Sequence, residues 1–393
     1  MLQNLKIGLF GFGCVGEALF HVLENTNGIK TEIVKIGVKN KTKPRILDNS
    51  FFTFNKYEIL DDPEINLIIE LIDDAQEAYN IVSYALSKGK HVITANKKML
   101  ANNLNDLLSL ERNNNVTLLY EASACGSIPI VRSIGEYFGN EHIDNIAGIF
   151  NGTTNYILTK TILEGISYEK ALLQAQEKGF AETDPTSDVE GYDPKYKAII
   201  LALHSYGHIV SYDDVLNIGI TTINNEDLGF AKEKGLKVKL VATIKKVDEK
   251  HICVFVLPKF INEDDNLYNV DNEFNAVNVV GEYSGEQFFK GRGAGGYPTC
   301  AAVLSDIAAL NNGYKYEYKK HHAPLKVGFT NDVLVKVYYR YNVNEDLERL
   351  DFKEITQKYS SSLYNYVIGY TSLKNLKDNR DFLLKNGLFV ALI

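Results

Sequence analysis

The chain has 393 residues, of which 45% are hydrophobic and 23% charged, and its formal net charge at pH 7 is −8. This composition is typical of a globular protein with two or three domains. The acidic balance, with no long basic run, argues against a nucleic-acid partner, and no apolar run is long enough to span a bilayer.

The first residues and the cysteines indicate the compartment. A predicted strand begins at Leu5, and no signal-type apolar segment precedes it. The four cysteines lie far apart and form no CxxC pair, which fits a reducing compartment and excludes a zinc ribbon; they are Cys14, Cys125, Cys253 and Cys300. We therefore expect a cytoplasmic protein.

The first predicted strand, Leu5–Phe10, runs directly into a glycine-rich turn, and a helix with apolar residues at helical spacing follows. The turn reads Gly11-Phe12-Gly13-Cys14-Val15-Gly16. Strand, glycine turn and helix in this order predict a dinucleotide-binding turn. Gly11 would permit the tight bend, Gly13 the approach of backbone amides to a pyrophosphate, and Gly16 close packing of helix on strand. A glycine turn in some other α/β unit is the alternative at this point.

The second predicted strand, residues 31–38, ends in a basic segment without a carboxylate. An NAD-preferring enzyme shows an acidic residue here for the ribose hydroxyls. This segment instead carries four cations, Lys39, Lys41, Lys43 and Arg45. The pattern favours NADP, which carries a ribose 2′-phosphate, over NAD. A solvated basic loop explains the pattern about as well.

Two later predicted strands end in polar residues at the carboxyl edge of the sheet, where open α/β folds bind ligands. Residues 91–94 run into Thr94-Ala95-Asn96-Lys97, and Lys97 is either an ordinary helix-start residue or a second catalytic cation. Residues 116–120 run into a turn of mostly small residues, Glu121 to Pro129. From about residue 130 the strand–helix alternation gives way to a mixed pattern, so we place a domain boundary there.

A second domain is predicted from strands at residues 143–150, 236–244, 251–257 and 276–281. Such strands commonly pair across a dimer, so we expect a homodimer or homotetramer. The segment Asn151-Gly152-Thr153-Thr154-Asn155 suits a helix N-cap and helix start. Another glycine-rich turn, residues 291–299, leads into a helix of small residues at 298–318.

The stretch from Ala175 to Lys197 gathers six ionisable side chains that could do chemistry into one short loop. They are Glu182, Asp184, Asp188, Glu190, Asp193 and Lys197. Asp193-Pro194 predicts a helix N-cap with a first-turn proline, followed by a helix to about Tyr206. Lys197 would then lie in the first turn, where the helix dipole favours loss of its proton. When this stretch is taken alone, a solvated acidic loop with a surface lysine explains it slightly better than a catalytic site does.

The same stretch resembles the signature of homoserine dehydrogenases without a departure, at Ala175, Gly179, Phe180, Ala181, Asp184-Pro185, Asp188-Val189, Gly191, Asp193 and Lys197. Residues 94–97 and 151–155 match two further motifs of that family. The resemblance implies reversible NAD(P)H-dependent reduction of L-aspartate 4-semialdehyde to L-homoserine, in threonine and methionine biosynthesis. The alternatives are an oxidoreductase for another small aldehyde or imine and a non-enzymatic NAD(P)-binding regulator; the ionisable signature argues against both.

The resemblance also implies the roles of individual residues. Lys197 is the acid/base lysine, Asp193 and Glu182 are its carboxylate neighbours, and Lys97 positions substrate and relays the proton. Glu182, Asp188 and Asp193 contact the small-molecule substrate. The implied cofactor contacts, to NADP with NAD as a second possibility, are Gly11, Gly13, Cys14, Val15, Gly16, Lys39, Thr94, Lys97, Gly179 and Gly295. A monovalent cation, usually sodium, is held by Glu121, Ala124, Gly126 and Ile128 through backbone carbonyls and a carboxylate.

The predicted fold class is α/β. We expect a Rossmann-type NAD(P)-binding domain at residues 1–130, closed by helix 298–318, and an α+β catalytic and oligomerisation domain at 131–297. A small α/β tail at 324–393 should contain strands at 333–339, 364–370 and 388–393 and a helix around 347–359. This tail is at most a degenerate ACT-like domain, because it is one strand short and the turn after its first strand lacks glycine and proline. We therefore expect no inhibition by L-threonine through the tail.

Overall fold

The computed structural model describes residues 4–26, 28–324 and 326–393. The chain divides into two compact units, Met1–Gly139 with Arg292–Lys319, and Asn140–Gly291 with Lys320–Ile393. Within the described ranges, none of the helices combines the length and the apolar character needed to cross a bilayer.

The first unit is built on a six-stranded sheet with helices between its strands. In chain order its elements are β1 (Leu5–Phe10), α1 (Cys14–Asn25), β2 (Thr31–Gly37), β3 (Phe52–Thr53), α2 (Tyr57–Leu60), β4 (Leu67–Glu70), α3 (Ala75–Ser87), β5 (His91–Thr94), α4 (Lys97–Asn113), β6 (Leu118–Leu119) and α5 (Ile130–Arg132). The strand order is β3-β2-β1-β4-β5-β6, and every pair is parallel. This is the doubly wound order of dinucleotide-binding folds, so the predicted Rossmann-type sheet is confirmed.

The central strands of this sheet are apolar along their length because both faces of a doubly wound sheet are covered. Leu5, Ile7 and Leu9 of β1 are fully buried, as are Ile68 and Ile69 of β4. The strands run parallel, so their carboxyl ends meet at one edge of the sheet. The glycine loop after β1 and the polar residues after β4 and β5 therefore lie at the same edge.

The second unit is built on a long mixed sheet. Its elements up to the return of the chain are β7 (Ile143–Ile149), α6 (Gly152–Glu164), α7 (Tyr168–Glu177), α8 (Thr186–Val189), α9 (Tyr192–Tyr206), β8 (Leu216–Asn217), α10 (Asn225–Glu233), β9 (Lys237–Lys246), β10 (His251–Ile261), β11 (Phe274–Gly281) and β12 (Gly285–Arg292). Antiparallel pairs join β11 to β7, β7 to β9 and β9 to β10.

The chain then returns to the first unit for one helix, α11 (Gly296–Asn311). This helix packs against α1 and ends earlier than the predicted 298–318, at a turn in which Gly313 has a φ of 77°. The remaining elements are α12 (Lys319–His322), β13 (Gly328–Phe329), β14 (Leu334–Tyr341), α13 (Asn344–Glu348), β15 (Glu354–Ser360), β16 (Asn365–Ser372), α14 (Leu373–Asp378), α15 (Arg380–Lys385) and β17 (Phe389–Leu392).

The predicted helix around residues 347–359 is wrong. Helix α13 ends at Glu348, and residues 354–360 form β15, which pairs with β16. Every residue of β15 is exposed, so no buried face gave this segment a recognisable period. With β15, four strands of the C-terminal segment lie side by side in the order β17-β14-β16-β15, so the expectation that the segment is one strand short is wrong.

Residues 324–393 continue the sheet of the second unit, because β17 pairs with both β10 and β14. The two parts also share a hydrophobic core, in which Val337, Val367 and Val390 of the C-terminal segment pack with Phe255 and Leu257 of β10. The segment is therefore built into the second unit by both backbone pairing and apolar packing.

In the turn after β14, two backbone amides are hydrogen-bonded to a side chain of the same segment. The Asp346 carboxylate accepts hydrogen bonds from the N–H groups of Asn342 and Val343, at 3.1 Å each. These two amides are therefore already bonded to a carboxylate of the chain.

Candidate active site

The glycine loop has the geometry of a dinucleotide-binding turn. Gly11 has a φ of 97°, and a Cβ on it would lie 2.7 Å from the Leu71 carbonyl oxygen. A Cβ on Gly16 would lie 2.4 Å from the Gly11 carbonyl oxygen, so both positions require glycine. A Cβ on Gly13 would meet nothing within 4 Å. Open space therefore adjoins the N-terminus of α1, at Cys14, as a pyrophosphate requires.

A buried hydrogen-bond network joins the ends of β4 and β5. Glu70 is 0% exposed, and its carboxylate accepts the Thr94 hydroxyl at 2.5 Å and the Ile72 N–H at 2.6 Å. The Thr94 oxygen accepts the Asn96 N–H at 3.0 Å, and Asn96 caps α4, whose first residue is Lys97. The network thus fixes the helix start that presents Lys97. Sequence reasoning missed Glu70, although a carboxylate inside an apolar strand was a usable signal.

Glu70 gives the protein a pH-dependent contribution to stability. Burial raises the pKa of this carboxyl from 4.5 to about 7. Because the folded-state pKa lies above the unfolded one, the contribution is fully present below about pH 4.5 and is lost as the pH rises through 7. Its size is on the order of 3 kcal/mol. We expect Glu70→Gln, in urea unfolding, to gain stability relative to wild type between pH 5 and pH 8.

The exposed Glu64→Gln is the matched control, since it removes a surface carboxylate rather than a buried one. A Glu70→Gln difference that is constant from pH 5 to pH 8 would show that Glu70 is ionised in the folded protein throughout this range.

The basic segment after β2 is an exposed, ordered loop. The Asn40 side chain accepts the N–H groups of Thr42 and Lys43, at 2.9 and 3.2 Å. Arg45 lies 5.0 Å from the Phe52 ring centroid and donates to the Lys43 carbonyl. Arg45 is half-buried, whereas Lys39, Lys41 and Lys43 are exposed, so these three lysines are the candidates for contact with a phosphate. Lys41 Nζ also lies 5.3 Å from the Phe54 ring centroid.

The turn predicted to hold a cation is buried. Glu121 is 1% exposed, and its carboxylate accepts the N–H groups of Val131 and Arg132, at 2.9 and 2.8 Å. Ala124 and Ile128 are buried as well, and Gly126 has a φ of 60°. Within the ranges that the structure describes, no three His, Cys, Asp or Glu side chains form a group suited to a metal ion. A cation on this turn would therefore depend mainly on backbone carbonyls.

The second unit contains a buried lysine–aspartate pair on α9. Lys197 is 7% and Asp193 3% exposed, and Lys197 Nζ lies 2.7 Å from Asp193 Oδ2. Lys197 Nζ also donates to the Phe150 carbonyl at 2.6 Å. Asn151 Nδ2 donates to Asp193 at 2.8 Å and to Asp188 at 2.6 Å. Asn151, Asp188, Asp193 and Lys197 thus form one network, which we call the lysine network.

The predicted start of α9 is wrong. The N-cap is Gly191, with a φ of 82°, and the helix begins at Tyr192, so Lys197 lies in the second turn. The Asp193 carboxylate does not cap the helix, since it accepts hydrogen bonds from Lys197 and Asn151. The helix dipole acts mainly within the first turn, so direct contact with Asp193 defines the surroundings of Lys197.

Asn151 is a member of the lysine network that sequence reasoning recognised only as a helix cap. Its Oδ1 does cap α6, by accepting the Thr154 N–H at 2.8 Å, as predicted. Its Nδ2 is left to bridge the two aspartates. The two aspartates that Asn151 contacts lie 37 and 42 residues away in the sequence, so residues near Asn151 do not indicate this bridge.

The other predicted residues lie apart from these hydrogen bonds. Glu182 is exposed, and the Gln176 side chain donates to its backbone carbonyl at 3.0 Å. Gly179 has a φ of 74° in the same loop. Gly295, with a φ of 116°, is the N-cap of α11 in the first unit.

The fold and these residues define an NAD(P)-dependent oxidoreductase, with a dinucleotide-binding glycine loop in one unit and a buried lysine held by a carboxylate in the other. The family model for homoserine dehydrogenase matches residues 129–308, and the model for the NAD-binding domain of homoserine dehydrogenase matches residues 11–121. The chain belongs to the homoserine dehydrogenase family.

Similar proteins agree over most of the chain. Homoserine dehydrogenase of Bacillus subtilis is 35% identical over 378 residues, covering 91% of this chain and 86% of that protein. The Helicobacter pylori enzyme is 36% identical over 321 residues, covering 79% and 74%. The crystal structure of a homoserine dehydrogenase from Thiobacillus denitrificans superposes with a TM-score of 0.81 at 29% identity, covering 95% and 93%. A hyperthermophilic archaeal homoserine dehydrogenase mutant in complex with NADPH has a TM-score of 0.69 at 26% identity, covering 80% and 99%.

Proposed function

We propose that this chain catalyses the reversible NAD(P)H-dependent reduction of L-aspartate 4-semialdehyde to L-homoserine, with Lys197 as the proton donor. Membership of the family supports the reaction. The observation that supports the residue is the buried Lys197 ammonium, held between the Asp193 carboxylate and the Phe150 carbonyl. Reduction of NADP by L-homoserine tests the reaction. Another small alcohol as the preferred substrate in that assay would contradict it.

The lysine network supplies acid catalysis. When bound, the reduced nicotinamide supplies a hydride to the aldehyde carbon, and the residues of the chain act on the oxygen. An ammonium has three N–H donors, of which Asp193 and Phe150 take two, leaving one for the substrate oxygen. Lys197 stabilises the negative charge developing on that oxygen and then transfers its proton to it.

Two acidic residues are proposed to contact the substrate's ammonium group. Asp188 is held in place by Asn151, so its carboxylate is oriented before substrate binds. Glu182 is exposed, and we propose that it contacts substrate from the loop that also carries Gly179. Lys97, at the start of α4, is proposed to help position the substrate and relay the proton.

The cofactor is proposed to be NADP, with NAD as a second possibility. The glycine loop would hold the pyrophosphate at Gly13, Cys14 and Val15, because the N-terminal amides of α1 adjoin open space there. The three exposed lysines after β2 would hold the ribose 2′-phosphate, which only NADP carries.

We expect the triple variant Lys39→Gln, Lys41→Gln, Lys43→Gln to raise the Kd for NADPH about tenfold, since each exposed ion pair contributes on the order of 0.2–1 kcal/mol. The Kd for NADH should change less than about twofold, because no phosphate contact is lost. Nicotinamide fluorescence titration measures both constants. Lys30→Gln with Lys88→Gln is the control, since these exposed lysines lie at the opposite edge of the sheet. Equal weakening of both cofactors would mean that the cluster is only a solvated loop.

A monovalent cation, probed as sodium, is proposed to bind at Glu121, Ala124, Gly126 and Ile128, through backbone carbonyls and the Glu121 carboxylate. The burial of Glu121, Ala124 and Ile128 supports this proposal, because a cation away from water must be held by oxygen atoms of the protein. Sodium-23 NMR with the intact protein tests this, and an unchanged sodium linewidth would contradict it.

A cytoplasmic location and a homodimer or homotetramer are also proposed. The four cysteines form no disulfide, which suits a reducing compartment. Light scattering on the purified chain measures the assembly, and a monomeric mass would contradict the proposed oligomer.

A further inference from the structure

Arg380, the first residue of α15, reaches from the C-terminal segment to the turn that precedes α9. Its Nε donates to the Asn217 carbonyl at 2.5 Å, and its Nη2 donates to the Tyr192 hydroxyl at 3.2 Å. The same Nη2 lies 3.6 Å from Glu190 Oε2. The Arg380 side chain is 17% exposed, and its Nη1 also donates to the exposed Asp381 carboxylate at 3.3 Å.

The turn that receives Arg380 connects α8 to α9. We call residues 189–192 the α8–α9 turn. Asp188 immediately precedes it and Asp193 immediately follows it, so both carboxylates of the lysine network are attached to its ends. A displacement of the turn would therefore move both carboxylates and the helix that carries Lys197.

A neighbouring segment holds the same turn. Asn217 Nδ2 donates to the Glu190 carbonyl at 2.9 Å, and the Ile220 N–H donates to the Val189 carbonyl at 2.8 Å. A Cβ on Gly219 would lie 1.9 Å from the Val189 oxygen, so the two backbones are in direct contact. Arg380 binds both Asn217 and the turn, and it thus ties the two segments together.

We propose that Arg380 is a positioning residue that holds the α8–α9 turn and thereby orients the Asp188–Asp193–Lys197 network. This inference rests on the proposed role of Lys197. It gives the C-terminal segment a part in catalysis beyond packing or assembly. Errors of about 1 Å in the placement of reacting groups cost on the order of 100-fold in rate, so a loosened turn lowers turnover.

The chemistry of arginine suits this position. Its planar guanidinium presents several donors in fixed directions, so it can donate to the Asn217 carbonyl and the Tyr192 hydroxyl while facing the Glu190 carboxylate. A lysine carries its charge at one point on a flexible chain and would replace only part of these contacts.

The test compares Arg380→Gln and Arg380→Lys with wild type in the full-length protein. For Arg380→Gln we expect kcat to fall about tenfold or more, with the NADPH Kd unchanged and amide hydrogen exchange in residues 186–193 accelerated about tenfold. Arg380→Lys should recover part of both effects. The control is Arg349→Gln, which removes a C-terminal arginine that lies 5.0 Å from the Phe382 ring, and it should retain wild-type kcat and exchange.

Wild-type kcat in Arg380→Gln would overturn the proposal, whether or not exchange in the turn is faster. A lower kcat with unchanged exchange in residues 186–193 would also overturn it, because the effect would not pass through the turn. Lys197→Met is measured in parallel. If that variant keeps its turnover, the proposed role of Lys197 fails, while exchange in Arg380→Gln still reports whether the arginine holds the turn.

Discussion

Lys197→Met is expected to lower kcat for homoserine oxidation by about a thousandfold or more. Methionine keeps most of the length of the side chain but has no proton to exchange and no charge to stabilise the oxygen. A positioned acid or base is worth about 100- to 10,000-fold, and loss of charge stabilisation adds to this. The NADPH Kd should stay within about twofold of wild type, because the glycine loop belongs to the other unit.

Initial rates of NADP reduction and fluorescence titration of NADPH measure the two quantities. Lys239→Met is the matched control, because Lys239 is also a buried lysine of the second unit, bonded to Asn155 and Asp271. Lys239→Met should lower the stability of the protein. The molecules that remain folded should have a kcat within about tenfold of wild type. Near-wild-type turnover of Lys197→Met at neutral pH would show that another group donates the proton.

Deletion of residues 324–393 is expected to prevent the second unit from folding. The deletion removes most of a shared core and leaves Leu216, Phe255 and Leu257 without their packing partners. Each fully buried side chain of this kind contributes about 1.5–3 kcal/mol, against a total stability of about 5–15 kcal/mol for a typical domain. The deletion also removes Arg340, which lies 3.0 Å from the buried Asp227.

Circular dichroism and thermal unfolding of a chain ending at Ala323 measure this effect. We expect an insoluble product or one without a cooperative transition for the second unit. Leu363→Ala in the full-length chain is the control, since Leu363 is 83% exposed and its loss should change Tm little. A soluble truncated chain that unfolds cooperatively and reduces NADP would show that the C-terminal segment is dispensable for the fold.

The C-terminal segment also shows where sequence reasoning fails. The sequence predicts a separate small tail at residues 324–393, and in the structure the strands of this segment continue the sheet that contains β7. The strand β15 was predicted as helix because its residues face solvent and carry no apolar period. Pairing with β16 forms this strand, and a neighbour in the sheet is not visible in the strand's own residues.

The sequence by itself determined what depends on neighbouring residues. The strand, glycine turn and helix at residues 5–25, the Asn151 cap and the homoserine dehydrogenase signature from Ala175 to Lys197 all lie within short stretches. Backbone sterics, capping and helical or strand period act over a few residues, so each leaves a local pattern.

Tertiary structure alone decided which distant groups meet. The Asn151 bridge between Asp188 and Asp193, the burial of Glu70 against Thr94 and the contact of Arg380 with Tyr192 join residues 24 to 188 positions apart. These contacts form because packing of the sheet removes the groups from water, and a buried polar group must then find a partner. The residues on either side of a buried polar group do not indicate its partner. The order of the strands and the packing of the whole unit determine which distant group lies next to it.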